Sequence, residues 1–114
     1  MVDQHNASVV KALFVRLTAK DGKGDEVGAF LHDGLAAVLE EPDTTTWYAL
    51  RFCDHDFAIF DTFPDNAARL AHLAGKVGRA LVLRTLELFE GIPKIEHGHV
   101  LVYKLPGESG QVPE

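Results

Sequence analysis

Two runs of β-forming residues, separated by a short polar break, limit the possible folds of this chain more than any other feature. Residues 44–53 read TTTWYALRFC and residues 57–63 read FAIFDTF, with Asp54, His55 and Asp56 between them. Aromatic and β-branched residues favour strands, and so short a break is typical of an antiparallel hairpin. The sheet of this protein is therefore expected to contain that hairpin.

Helical patterns flank the hairpin on both sides. Residues 25–41 carry apolar side chains at a spacing of three and four, which predicts one amphipathic helix that Pro42 ends. Residues 66–74 and 77–89 predict two further helical segments, interrupted at Gly75. The second helical region is therefore expected to be split.

Strands are predicted near both ends of the chain. Residues 8–17 (SVVKALFVRL) are apolar at both alternating sets of positions, and residues 99–105 (HVLVYKL) form a last β-rich run. The resulting order, β-α-β-β-α-β, predicts an α+β fold, the ferredoxin-like sandwich with both helical regions on one face of the sheet. We expect residues 1–105 to form this single domain and residues 106–114 to be a disordered tail.

The face of the sheet away from the helices should also be covered. The first and last predicted strands are apolar on both sides, and an antiparallel sheet normally leaves one face to water. No further element of the chain is available for this role, so a second copy is the natural candidate. The sequence predicts a homodimer packed sheet to sheet, which makes a dimeric α+β barrel.

Charge and composition exclude several classes of partner. The 114 residues carry a formal net charge of −6, and their Lys and Arg are scattered, whereas nucleic-acid binders present basic stripes. We also expect no membrane association and a cytoplasmic location, since neither a membrane-spanning run nor a signal-peptide pattern is visible. The single Cys53 can form no disulfide within the chain and no cysteine metal cluster.

Three segments together resemble the antibiotic biosynthesis monooxygenase-type domain, a group of dimeric α+β barrels that includes small quinol monooxygenases. They are the start VKALFVRLTAKDGKGDEVGAFL, the hairpin WYALRFCDHDFAIFDTF and the following DNAARLAHLAG, within residues 8–105. In that family an acidic-x-aromatic strand end precedes a helix with an Ala-His-Leu step. Asp61-Thr62-Phe63 and Ala71-His72-Leu73 occupy those places here.

The sequence also departs from the family pattern. The strand end is commonly Glu-x-Trp, and many quinol-oxidising members have a second His five residues after the first, where this chain has Val77. The haem-degrading branch has a Trp at the position of His72 and a later His that has no match between residues 76 and 90. The resemblance therefore argues against haem degradation.

The resemblance implies an enzyme that oxidises a quinol or another hydroxylated aromatic molecule with O2 and needs no cofactor. That chemistry requires an apolar pocket and a base for the phenolic proton, a task that suits a His. His72 is the candidate catalytic base. The candidate substrate contacts are Trp47, Arg16, Phe14 and Asp61, where Arg16 could pair with Asp61 or with a bound anion.

Other interpretations stay open at the level of sequence. On a helical wheel His72 lies opposite the face shared by Leu70, Leu73 and Val77, which predicts a surface position. His97 and His99 could bind a metal, although no further ligand stands at a suitable spacing. The domain could also be a non-catalytic, dimeric stress-response or binding protein that holds a small hydrophobic molecule in the same cavity.

Overall fold

The computed structural model describes residues 8–114, in which a four-stranded antiparallel sheet is covered on one face by three helices. The fold is the ferredoxin-like α+β architecture that the sequence predicts, with its second helical region split in two. The spatial order of the strands is β2-β3-β1-β4. The strands are β1 (Lys11–Thr18), β2 (Thr46–Arg51), β3 (Asp56–Phe63) and β4 (Lys94–His99), and the helices are α1 (Gly24–Val38), α2 (Asn66–Leu73) and α3 (Lys76–Leu88).

Strand alternation separates a helix-covered face of the sheet from an open face. Leu13 lies opposite Asp61 of β3 and His97 of β4, and successive side chains point to opposite sides. The odd-numbered positions of β1 and β3 therefore face the helices, where they build the core with α1 and α3. This core includes Val15, Leu17, Val27, Leu31, Ile59, Val77, Leu81 and Leu88.

The start of α1 depends on a close approach of two backbone segments. A Cβ atom on Gly24 would lie 2.2 Å from the carbonyl oxygen of Asp54, so a glycine is needed there. The helix has no side-chain cap, and Asp25 in its first turn accepts a hydrogen bond from Arg51 at 3.1 Å. This contact joins the start of α1 to the end of β2.

The junction between α2 and α3 places the residues that follow β3 over the sheet. Asp65 caps α2 by accepting a hydrogen bond from the amide of Ala68 at 2.8 Å. Gly75 is extended and directly precedes α3, and a Cβ atom on Gly78 would lie 2.1 Å from the carbonyl oxygen of Leu73. The two helices therefore meet backbone to backbone.

The last part of the chain differs from the prediction. The strand that completes the sheet is β4, which ends where the predicted strand at residues 99–105 begins. Val102–Leu105 (β5) lies within that predicted strand but pairs in a separate hairpin with Glu108–Gln111 (β6), which belongs to the segment expected to be disordered. Pro106 and Gly107 form its turn, with Gly107 at a φ of +77°.

The strand β4 could not be predicted from the β-forming tendency of its residues, for a physical reason. The strand reads KIEHGH, lies at the edge of the sheet and is mostly exposed, so it lacks an apolar pattern. Its pairing with β1 is what holds it in place. Within residues 8–114 we find no helix with the length and apolar character needed to span a lipid bilayer.

Candidate functional site

A cavity of about 610 Å³ lies between the sheet and helices α2 and α3. Leu13, Val15 and Ile59 line its sheet side, and Val77 and Leu81 line its helix side. Among residues 8–114, its ionisable lining consists of Asp61 and His72. The volume lies within the range of small-molecule pockets, which are commonly apolar with a few placed polar groups.

The mouth of the cavity is apolar and open to solvent. Val82 and Leu86 of α3 and Ile92 in the following loop line the cavity, and all three side chains are largely exposed, Ile92 to 89%. A hydrophobic molecule could therefore enter without crossing a charged surface.

Asp61 is a deeply buried carboxylate in the sheet wall of this cavity. Its position in β3 turns it towards the helices, and its side chain is only 1% exposed. No group within residues 8–114 makes a well-aligned hydrogen bond with either of its oxygens. Burial raises the pKa of Asp61 above its ordinary value, an effect larger than the opposing influence of His72.

His72 connects Asp61 to a second carboxylate. Its ring packs on Phe63, with Nε2 2.9 Å from Oδ2 of Asp61 and Nδ1 2.5 Å from Oε1 of Glu41. Burial by itself would lower the pKa of His72, but its contacts with Asp61 and Glu41 outweigh burial, so that the pKa is raised. The two carboxylates therefore favour the doubly protonated, positively charged form of the His72 ring.

Glu41 belongs to an outer cleft on the other side of His72. This cleft, of about 360 Å³, lies between the end of α1 and the α2–α3 junction, and His72 lines both it and the cavity. Thr44 donates a hydrogen bond to Oε1 of Glu41 at 2.8 Å. Sequence reasoning missed Glu41, because an acidic residue at a helix end is ordinary and its contact with His72 spans 31 residues.

The structure corrects the surface position that the helical wheel gives to His72. The side chain is 7% exposed, whereas Leu70 lies in solvent. The wheel was wrong because the apolar face that it assigns to the core includes the exposed Leu70, and because it extends to Val77, which belongs to α3. The inward positions of α2 are instead Ala68 and His72, four residues apart.

The other predicted site residues lie outside the cavity. Trp47 faces the helices but lies over Gly34 of α1, where an added Cβ atom would be 3.7 Å from its ring, and it lines a separate groove. Phe14 and Arg16 lie on the open face of the sheet, with the guanidinium 5.7 Å from the ring centroid. The predicted pair of Arg16 with Asp61 is wrong, because strand alternation places them on opposite faces.

The two histidines of β4 are not arranged as a metal site. His97 is exposed, and His99 lies near Lys11 and the carbonyl oxygen of Pro113, with Nδ1 at 3.3 Å and Nε2 at 2.9 Å respectively. Across the described part of the chain, no three His, Cys, Asp or Glu side chains come together in a way that could hold an ion.

Comparison with solved structures agrees with this architecture. A protein of unknown function from Nitrosomonas europaea, NE2512, is 40% identical and superposes with a TM-score of 0.84, over 87% of this chain and 96% of its own. A Caulobacter crescentus protein described as a "putative antibiotic biosynthesis monooxygenase" is 17% identical, with a TM-score of 0.69 over 79% of this chain and 88% of its own. A Nitrosomonas europaea protein of the same description is 11% identical, with a TM-score of 0.70 over 77% and 95%.

Neither a protein-family model nor a curated protein matches the sequence. The two distant structures show that this chain shares their α+β fold. At 40% identity over nearly the whole of both chains, the protein belongs to the same family as NE2512.

Proposed function

We propose that this protein is a cofactor-independent monooxygenase that oxidises a quinol or another hydroxylated aromatic molecule with O2. The observation that carries the proposal is the buried Asp61–His72 pair in the wall of an otherwise apolar cavity. Two proteins of the same fold carry the description "putative antibiotic biosynthesis monooxygenase", which points in the same direction.

The pair supplies the proton chemistry that such a reaction needs. A phenolate reacts with O2 far more readily than the neutral phenol, so a base must first take the phenolic proton. A carboxylate whose pKa is raised by burial is a stronger base, and the neighbouring imidazolium stabilises the anion that forms. The apolar lining of the cavity keeps water away from both the phenolic hydroxyl group and the carboxylate.

The aromatic substrate supplies all the electrons in this scheme. One oxygen atom of O2 bonds to a ring carbon and the other leaves as water, so that a quinol and O2 become a hydroxyquinone and water. The proton that Asp61 takes from the hydroxyl group returns to the peroxide oxygen when the O–O bond breaks. No external reductant is needed.

Oxygen uptake by metal-stripped protein with a panel of quinols tests the proposal. We expect uptake above spontaneous autoxidation in the wild type and a loss of about 100-fold or more in His72→Gln and in Asp61→Asn, as for removal of a general base. His32→Gln is the matched control, since His32 is an exposed residue of α1 outside the cavity. Equal uptake in all four proteins would reject this site.

A second candidate function is the binding of a small hydrophobic molecule without turnover. Within the described residues, the cavity lining contains no Lys, Arg, Asn or Gln that could hold an anion. Calorimetric titration with an oxidised quinone separates the two functions. Stoichiometric binding that persists in Asp61→Asn, in a protein that consumes no O2 with any quinol, would favour the binding protein.

A further inference from the structure

His72 stands between two spaces that differ in their access to water. Its Nε2 atom faces Asp61 in the apolar cavity, whereas its Nδ1 atom faces Glu41 in the outer cleft. A substrate that filled the cavity would cover the apolar mouth, but the outer cleft would stay in contact with solvent. The two ring nitrogens thus face different proton environments.

Glu41 is held in place for this contact. Its side chain is 22% exposed, and the Thr44 hydroxyl donates to the same oxygen that contacts Nδ1. Other charged groups lie in the cleft, namely Glu40, Asp43, Lys76 and Arg79. Lys76 pairs with Glu40 at 3.1 Å, and among residues 8–114 the ionic partner of Glu41 is His72.

We propose that Glu41 is a positioning residue that orients the His72 ring and carries its Nδ1 proton to and from solvent. The inference rests on the proposed function, since it concerns how the Asp61–His72 pair exchanges protons with solvent while a substrate fills the cavity. In the transfer, the N–H bond at Nδ1 breaks, an O–H bond forms at Oε1 of Glu41, and that proton passes to water. No electrons are exchanged.

The substitution Glu41→Gln isolates this role. The amide oxygen can still accept hydrogen bonds from Nδ1 and from Thr44, but the group carries no charge and takes up no proton. We expect the titration midpoint of His72, followed by NMR of its ring, to fall by about one pH unit, because a close opposite charge is lost. The alkaline limb of the pH profile of kcat, where the imidazolium is lost, should move in the same direction, with kcat about tenfold lower and KM nearly unchanged.

Glu40→Gln is the matched control. Glu40 precedes Glu41 in the chain and is exposed, but its carboxylate contacts Lys76 rather than His72. The same change of charge should therefore leave both the His72 midpoint and the pH profile in place. Similar thermal melting of the two variants would show that both are folded.

The outcomes separate this inference from the proposed function. If the enzyme is active and Glu41→Gln moves neither the His72 midpoint nor the pH profile, the inference is overturned and the proposed function stands. If the midpoint moves but wild type oxidises no quinol, the proposed function fails and the proton route fails with it. A moved midpoint and a moved profile, both absent in Glu40→Gln, support the inference.

Discussion

At the scale of single residues, the Asp61–His72 pair should make the stability of the fold depend on pH. The pKa of each group is raised in the folded protein, so the folded state binds protons more tightly than the unfolded state. Under that condition the free energy of unfolding falls as pH rises. The His72 contribution is complete below its ordinary value of 6.5 and is lost as pH rises through its higher value in the fold.

Urea denaturation of wild type and His72→Gln at pH 6 and pH 9 measures this contribution. At pH 6 we expect the variant to be less stable by about 2–3 kcal/mol, because the protonated ring is replaced and two carboxylates lose their partner. The difference should narrow at pH 9, because wild type loses that proton as pH rises through the raised pKa of His72. The exposed His32→Gln should match wild type at both values, and a difference of equal size at both pH values would contradict the argument.

Residue-level reasoning recovered only part of the candidate site from the sequence. The Ala-His-Leu step after the hairpin identified His72, and the acidic strand end identified Asp61, since both depend on local sequence order. Phe14 and Arg16 were misplaced, because the face of a strand residue depends on which side of the sheet the helices cover. Glu41 could not be predicted, since a chain reversal brings it to His72.

At the scale of elements, the α2–α3 junction should be sensitive to a single methyl group. In Gly78→Ala the new Cβ would lie 2.1 Å from the carbonyl oxygen of Leu73, so the two helices must separate. We expect a loss of about 2–3 kcal/mol in the free energy of unfolding, as for other overpacked sites, and a weaker contact of His72 with Asp61. Chemical denaturation and the NMR titration of His72 measure the two effects.

Gly28→Ala is the corresponding control in α1. Its Cβ would have its nearest neighbour, a nitrogen of Arg51, at 3.9 Å, which is an ordinary contact. Alanine favours a helix over glycine, so this variant should be as stable as wild type or more stable by up to about 1 kcal/mol. Equal destabilisation in both variants would show that the junction has no special role.

The elements themselves were predictable where their patterns were strong. Helix α1, with its apolar stripe, and the hairpin of β2 and β3 begin and end within a few residues of their predicted limits. The edge strand β4 and the pairing of β5 with β6 were missed, because pairing rather than burial of a continuous apolar face defines them. The Pro-Gly turn at residues 106–107 was the available signal for that hairpin.

At the scale of the whole molecule, the open face of the sheet is the surface that we propose for the homodimer. Phe14 and Phe60 lie next to each other there, and the ring of Tyr48 stacks on Phe60 at 6.4 Å. Leu50 is exposed on the same face. These side chains form an apolar surface across three strands, and a second copy of the same surface would be complementary to it.

Light scattering after size exclusion tests this interface, with wild type expected at twice the chain mass of 12.5 kDa. Tyr48→Asp should shift the protein towards the monomer, because it places an unpaired charge in the proposed contact while its exposed position spares the fold. Leu83→Asp is the control, since Leu83 is an exposed residue of α3 on the helical side of the molecule. Dissociation by Leu83→Asp alone would place the interface on the helices, next to the cavity mouth, and a monomeric wild type would remove the dimer altogether. The sheet-face dimer, in contrast, leaves the mouths of both cavities open to substrate.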